Sequence, residues 1–599
     1  MTKNIHVSVA WPYANGDLHV GHLAGTYLPA DIFARYHRLK GNRVLMVSGS
    51  DSHGTPILVE ANKRGISARE LFEQYHERFL LTQQKIGISY DLFTHTDTEN
   101  HHRISQDFFK TLLESGYLRI ETQTLLYSEL ENRFLPDRFI EGECYFCGYK
   151  EARGDQCDNC GNLIDPIKLI NPRSKENPSD KLAPRNTDHY FLMLDQFIKE
   201  LIAYIDKHQS HWRANVVNFS RNFVKDLRGR PITRDIDWGI EIPLKGWEDK
   251  KMYVWFEAVI GYFSASIEWA HNIGQPDAWK DWWYNPNAEI YNFLGKDNIP
   301  FHTVIWPAEL LGVNGIYNEG VKGISLPYDV PANEFMNIEG KQFSKSRNWA
   351  IWLPDILDRY QPDAVRYYVA RTFPETHDSD FAWDGFFNSV NGELLAAWGN
   401  LVNRVTGFSY KRFEGAVPQI DTLQETDIAL IAKIETGFET VGTLIEKVKL
   451  REALGEAMSL VREVNAYLDK REPWKTIKVD PGDAARSVYT ALRVIDNLNI
   501  LLSPFLPFSA QTVHEILGYE GQLFGKLKIV EYAEATRSHK GLTYDATLQT
   551  GRWEKRELPQ GQVLREPKPL YVKLDDTMID AERGLLGQPR DEQPIVVEA

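Results

Sequence analysis

The sequence predicts an α/β protein: a parallel-sheet domain, interrupted by a cysteine-bearing insertion and followed by an all-α helix bundle. Three observations predict it. Strand, helix and strand follow one another near the N-terminus, the order that builds parallel sheets. All four cysteines fall between residues 144 and 160. Beyond residue 425, apolar residues recur at steps of three and four.

The elements follow in order. "IHVSVAWPY" is a β-rich run that breaks at Pro12, and "NGD" is a turn. Asp17 is placed to cap a helix running from Leu18 toward Lys40. "NRVLMVSGSDSHG" is a second strand, ending in Gly and Asp. Ligands of parallel sheets bind at the carboxyl ends of strands, where "PYANGDLHVGH" and "GSDSHG" both fall. From Glu121 to Arg230 the periodicity loosens, which marks an insertion. Regular pattern returns with "KMYVWFEAVIGYFSASIEW", then a strand to Leu294, a Gly-Lys-Asp turn and a helix. "NEFMNIEGKQFSKSRNWAIW" is a loop. The first bundle stripe is Ile428, Ile431, Ile434, Phe438, Val441, Ile445 and Val448. The second is Leu454, Ala457, Val461, Val464 and Leu468, and the third Val488, Leu492, Ile495 and Leu502. After Ala533 the pattern dissolves, and the end is expected to be a loose tail.

Size and composition bound the function. At 599 residues, with 43% hydrophobic and 25% charged residues, the chain has room for three to five domains. A net charge of −15 argues against a general coat for nucleic acid, but not against one local basic face. There is no basic-then-apolar leader and no run of 18 apolar residues, so a cytoplasmic protein with no membrane contact is expected.

Cys144-x2-Cys147-x9-Cys157-x2-Cys160 has the spacing of paired metal knuckles, with Gly148 and Gly161 after the pairs. Four thiolates suit one tetrahedral, structural zinc per chain. The alternatives are two local disulfides or unpaired thiols. His19 and His22, in "HVGH", share a helix face at a helix start, where unpaired N–H groups and the dipole attract phosphate. Capping or a polar core role would explain the same pair. Lys345, between Ser344 and Ser346 in "FSKSR", sits on a loop able to close over phosphates. No phosphate-binding Gly-x-x-x-x-Gly-Lys loop and no Gly-x-Gly-x-x-Gly is present.

Together, "HVGH" and "QFSKS" resemble the His-x-Gly-His and Lys-Met-Ser-Lys-Ser motifs of class I aminoacyl-tRNA synthetases. "PYANGDLHVGH", "GSDSHGTPI", the four-Cys knuckle, "YVWFEAVIGY", "GKDNIPFHTVIWPA", "NLVNR" and "EPW" narrow the resemblance to the methionyl-tRNA synthetase family, over roughly residues 5 to 530. The resemblance implies a Rossmann-like catalytic domain with a zinc-knuckle insertion and a helical anticodon domain. It implies the boundaries 1–120 and 231–330 for the catalytic halves, 121–230 for the insertion, 331–384 for the lysine loop and link, 385–533 for the anticodon domain and 534–599 for a partly loose extension.

It further implies ATP-dependent activation of L-methionine and transfer to tRNA(Met), for translation initiation and elongation, with Mg²⁺ carried by ATP. His19, His22 and Lys345 would be catalytic, and Ser344, Gly295 and Asp297 would join them around ATP. Asp51 would hold the substrate ammonium. Tyr13, Trp255, Ala258, Tyr262, Phe301, His302 and Trp306 would form the side-chain pocket, with Tyr13 and His302 offering hydrogen bonds to sulfur. Asn400, Arg404 and Trp474 would read the anticodon.

The sequence departs from the family in places. Gln342 stands at the first Lys of the loop motif, with Lys341 one place earlier and Phe343 at the Met. Val259 stands where many relatives carry Pro, and Trp11 where some carry Leu. No oligonucleotide-binding barrel follows the bundle, so a monomer is expected. Synthetases for Ile, Leu or Val need a larger editing insertion than this chain has room for. The Cys enzyme uses a catalytic zinc with mixed ligands. A non-catalytic RNA-binding relative would have lost His19, His22, Lys345 or Asp51, and a zinc scaffold would leave both motifs unexplained.

Overall fold

The structure, a computed structural model, describes residues 2–590 apart from 155, 156, 158, 161, 163 and 346. Its centre is a seven-stranded sheet. In chain order the strands are β1 (Asn4–Val9), β2 (Arg43–Ser50), β3 (Leu92–His95), β4 (Glu289–Gly295), β5 (Ala332–Asn333), β6 (Lys526–Ala533) and β7 (Ser538–Asp545). Their spatial order is β5-β4-β1-β2-β3-β7-β6. The first five run parallel; β7 pairs antiparallel with β3 and β6 antiparallel with β7. β1 is buried along nearly its whole length, as a strand covered by helices on both faces must be. It is flanked by β2, which follows it, and β4, which arrives after the insertion. That change of direction opens a crevice at the carboxyl end of β1.

The insertion is built on two antiparallel eleven-residue strands, Leu118–Ser128 and Leu182–Leu192. A small sheet of Ile140–Glu143, Ala152–Arg153 and Ile170–Ser174 carries the cysteines. The bundle is formed by helices Glu425–Glu446, Leu450–Arg471 and Pro481–Leu502, which pack on one another. The second and third apolar stripes are buried. Ile428, at the N-terminal end of the first, is 54% exposed: it faces outward, while Asp427 in the same turn is buried and accepts from Tyr467 O–H of the next helix.

One expectation needs correction. Asp17 does not cap the first helix. His19 does, with extended backbone and its Nδ1 accepting from Gly21 N–H, while Asp17 pairs with Arg78 and Arg590. The region after Ala533, where the sequence pattern dissolves, forms regular elements ahead of the expected tail that begins at residue 587. Residues 526–545 form a hairpin that extends the central sheet, and helix Met578–Leu585 packs back on the 383–389 helix. Edge-strand pairing uses backbone groups, so polar side chains hid it. Residues 591–599 lie outside the described residues.

Candidate active site

The histidine ledge follows β1. His19 and His22 form a reciprocal cap: His19 Nδ1 accepts from Gly21 N–H at 3.1 Å, and His22 Nδ1 accepts from His19 N–H at 3.3 Å. With both Nδ1 atoms accepting, each neutral ring carries its proton on Nε2, a donor suited to a phosphate oxygen. The rings lie together, centroids 3.7 Å apart. Burial, then His22, then Lys345 hold His19 well below the usual imidazole range; burial and Lys345 bring His22 down to about 3. Gly21 is required, since a Cβ there would sit 2.9 Å from the His19 ring.

The lysine loop closes over this ledge. Ser344 and Trp349 exchange backbone hydrogen bonds at 3.1 and 3.0 Å, which draws the two ends of the loop tip together. Its turn exits through Asn348 at φ +46°, a left-handed conformation Asn tolerates. Phe343 stacks on His19, and Lys345 Nζ donates to Asn15 Oδ1 at 3.1 Å. Gly16 leaves room for that ammonium, as a Cβ there would lie 3.2 Å from Nζ. Lys341, displaced by one position relative to the family motif, lies 4.3 Å over the Trp349 ring and braces the loop's base. Gln342 is exposed. Beneath the loop, Val20 N–H donates to Ile351 O and Leu353 N–H to Leu18 O, fastening the loop's exit to the ledge.

Across the crevice, Asp51 directly follows β2 and bridges in parallel to Tyr13. It is 4% exposed, and burial and the Glu257 carboxylate push its carboxyl well above the usual range. Glu257 is fully buried and accepts from His53 Nδ1 and His101 Nε2, each at 2.9 Å. Trp255, Ala258 and Tyr262 share one face of helix Val254–Asn272 by their three- and four-residue spacing. Trp255 stacks on Phe301 at 4.3 Å and meets Tyr13 edge-on at 5.9 Å. Phe301 and His302 open a wide π-turn, Phe301–Ile305, a local form that often marks function.

His302 corrects one expectation. Its Nδ1 lies 2.9 Å from Asn298 O, which can only accept, so Nδ1 is the donor. Nε2 then accepts from Tyr262 O–H at 2.7 Å. His302 therefore has no N–H left for a thioether; its role is to orient the Tyr262 hydroxyl. Trp306 lies deeper than the other rings, fully buried against Phe108 and Trp283, and its Nε1 meets no partner among the described residues. Gly295 ends β4 with open space where a Cβ would project, and Asp297 follows in the short turn Lys296–Asn298.

The four cysteine sulfurs lie within 4.8 Å of one another, with Cys144–Cys160 at 3.8 Å and Cys147–Cys157 at 3.7 Å. A tetrahedral zinc with bonds of about 2.3 Å sets its sulfurs roughly 3.8 Å apart, so the site fits that ion. The same separations exclude disulfides between these pairs. N–H groups of Phe146, Asn159 and Asn162 point at the sulfurs of Cys144, Cys147 and Cys160, as thiolates require. Gly148 takes φ +74° in its knuckle; Gly161 lies outside the described residues.

At the far end, Glu472 turns the chain at φ +40°, and Pro473 starts the short helix that carries Trp474. Arg404 lies 4.6 Å over the Trp474 ring. Asn400, one turn before Arg404 on helix Asn400–Arg412, is exposed.

Comparison with known proteins decides the family. A sequence model described as tRNA synthetases class I (M) matches residues 5–406, and one described as the anticodon binding domain of methionyl tRNA ligase matches residues 417–529. The chain belongs to the methionyl-tRNA synthetase family. The methionine–tRNA ligase of Thermomicrobium roseum is 54% identical over 594 residues, covering 98% of this chain and 100% of the relative. That of Roseiflexus castenholzii is 51% identical over 600 residues, covering 98% and 99%. The fold is similar to Mycobacterium tuberculosis methionyl-tRNA synthetase in complex with methionyl-adenylate, with a TM-score of 0.73 at 23% identity, covering 95% of this chain and 100% of that one.

Several residues that family motifs alone do not single out shape this site. Asn15 holds the loop lysine, and Trp352 bridges to His19. Glu257 and His53 back Asp51. Trp11 lies against Gly49 and Gly261, where added Cβ atoms would come within 2.3 and 2.7 Å of its ring. The signal for that last group was present as a large ring facing two glycines, but only the fold brings residues 11, 49 and 261 together.

Proposed function

We propose that this chain catalyses the reaction of its family: activation of L-methionine by ATP to methionyl-adenylate, then transfer to the 3′ end of tRNA(Met). The observation that carries the reading is the closure of Lys345 over the His19/His22 ledge, opposite the buried Asp51. In the first step a methionine carboxylate oxygen attacks the α-phosphorus in line, and the bond to pyrophosphate breaks. His19 and His22 donate Nε2–H to phosphate oxygens. Lys345, with Ser344 beside it, neutralises the pyrophosphate as charge develops. Gly295 and Asp297 face the ribose. Mg²⁺ accompanies ATP and adds charge neutralisation on the phosphates.

Asp51 receives the substrate ammonium. Burial and Glu257 disfavour its anion, and a cation placed beside it restores the charge balance. Tyr13, Trp255, Ala258, Tyr262 and Phe301 offer rings and a small floor to a thioether, with Trp306 behind them and His302 fixing Tyr262. Asn400, Arg404 and Trp474 read the anticodon, with Trp474 as a stacking platform. The four cysteines hold one structural zinc. We infer a cytoplasmic enzyme working as a monomer, its location set by the tRNA it serves; among the described residues no helix is long and apolar enough to cross a membrane.

The test offers each of the twenty amino acids to the purified protein with ATP and labelled pyrophosphate. Exchange driven by methionine is the expected result. Exchange driven by leucine or cysteine instead overturns the reading.

A further inference from the structure

The last described residues, 587–590, lie beside the candidate active site. Glu582 is 2% exposed and is held by Arg359 at 2.7 and 2.8 Å and by Tyr360 O–H at 2.8 Å, which anchors helix Met578–Leu585. Past that helix, Gly587 N–H donates to Asn348 O at 3.0 Å, and Asn348 Nδ2 donates to Gln588 O. Asn348 is the left-handed exit residue of the lysine loop, and its Oδ1 accepts from Trp352 Nε1 at 2.9 Å. Arg590 then binds two carboxylates at once. Its Nη1 reaches Asp17 Oδ2 at 2.7 Å, and its Nε and Nη2 grip Asp355 at 2.8 and 2.6 Å. Its guanidinium lies 4.9 Å over the Trp352 ring.

Asp17 immediately precedes the histidine ledge, and Asp355 follows the loop exit. Arg590 therefore joins the two halves of the phosphate site from outside, at a place where its side chain is only 13% exposed. A fork-shaped, permanently charged donor is the residue type suited to clamping two carboxylates while stacking on an indole. A loop carrying a catalytic lysine needs such a restraint, since its closure must be favoured without being irreversible.

We propose that residues 587–590 form a strap that positions the lysine loop over the His19/His22 ledge, with Arg590 as its positioning residue. The proposal rests on the reading of Lys345 as the phosphate-binding lysine. Arg590 touches no reacting atom in this scheme. It acts through Asp17, Trp352 and Asp355, and Asn348 is held by its neighbours Gly587 and Gln588.

Three full-length variants test it: Arg590→Ala, Arg590→Lys and Asp355→Asn. In Arg590→Ala, backbone amides 343–349 are expected to exchange hydrogen roughly tenfold faster, with melting temperature within 2 °C of wild type, about the resolution of a small stability change. The kcat of methionine-dependent pyrophosphate exchange falls roughly tenfold, because the lysine is misplaced at the moment charge develops, while the KM for methionine stays put. Arg590→Lys recovers part of the loss. Asp355→Asn gives a similar loss that is not additive with Arg590→Ala. Wild-type amide exchange at 343–349 in Arg590→Ala, or a kcat loss that tracks a fall in melting temperature and a rise in methionine KM, overturns the strap. A wild-type protein with no methionine-dependent exchange would sink the proposed activity, and the amide measurement would still decide the strap.

Discussion

Phe343 stacks on His19, with ring centroids 3.6 Å and planes 23° apart. Where the family motif carries a methionine, this chain uses an aromatic lid that rests on the imidazole meant to meet phosphate. The opposite face of His19 is occupied by His22. An aromatic pair is worth about 0.5–1.5 kcal/mol beyond its area, so Phe343→Ala should open the loop and slow exchange about two- to tenfold. Phe343→Met should retain most of the rate. Steady-state pyrophosphate exchange at varied ATP measures both; equal rates for wild type and Phe343→Ala would remove the lid role.

Gly21 tests the ledge itself. An added Cβ would meet His19 Nδ1 and Cε1 at 2.9 Å. The ring would swing away, losing the Gly21 N–H bond that fixes its tautomer and the stack with Phe343. Loss of one charge-stabilising donor costs on the order of a hundredfold or more in kcat, so Gly21→Ala should lose roughly that much while the protein melts close to wild type. Exchange kinetics beside a thermal melt check the pair of expectations.

Much of this site was legible in the sequence because its motifs are local. Residues 19–22, 344–345 and 144–160 each carry their chemistry within a few positions, and β1 and β2 were readable from apolar runs. What was not legible depends on distant neighbours. Asp17 has the residue type of an N-cap, yet a longer-range demand from Arg78 and Arg590 wins it, and His19 caps instead. The tautomer of His302 is set by Asn298 O and Tyr262, which spacing alone could not reveal. Strand β7 buries His539, Gly541, Leu542 and Tyr544, of which only Leu542 is aliphatic, so its pattern was too weak to read against the loop pattern around it.

His53 makes the support under Asp51 sensitive to alkali. Burial lowers its basicity, but Glu257 and Asp97 outweigh that and raise its pKa from 6.5 to about 10. Arg69, Arg537 and His102 share Asp97, and His101 shares Glu257. A histidine raised in the folded state adds stability that is complete below its unfolded value near 6.5 and is lost as pH climbs through about 10. The melting-temperature difference between wild type and His53→Gln should therefore be largest at or below about pH 6.5, fall steadily up to about pH 10 and be small above it. A difference that stays constant from pH 7 to 10.5 contradicts a charged His53.

The zinc knuckle has a small core of its own. Cys144 and Cys157 are buried with Leu126, Leu135, Phe139 and Ile140, apart from the main sheet's core. Metal analysis should give one zinc per chain. Removing it with a chelator should speed amide exchange across residues 140–174, because four uncompensated thiols cannot replace the bonds that organise the loops. Strand β2 should keep its protection. Loss of protection in β2 at the same rate would show that the metal organises the whole catalytic domain.

Trp474 separates the two chemical steps. It lies at the far end of the bundle helices from the ledge, held under Arg404 at 4.6 Å by the left-handed turn at Glu472 and the rigid Pro473. The guanidinium covers one face of the ring and is 39% exposed, so it can swing aside or extend the stack when a base arrives. A base stacked on an aromatic ring is worth ~1–3 kcal/mol. Trp474→Ala should therefore raise the KM for tRNA by roughly ten- to a hundredfold. Methionine-dependent pyrophosphate exchange, which involves no tRNA, should be unchanged. Arg404→Ala should act in the same direction but less, since it removes the neighbour and leaves the platform. If exchange and charging fall together in Trp474→Ala, the ring is structural, and the anticodon is met elsewhere on the bundle.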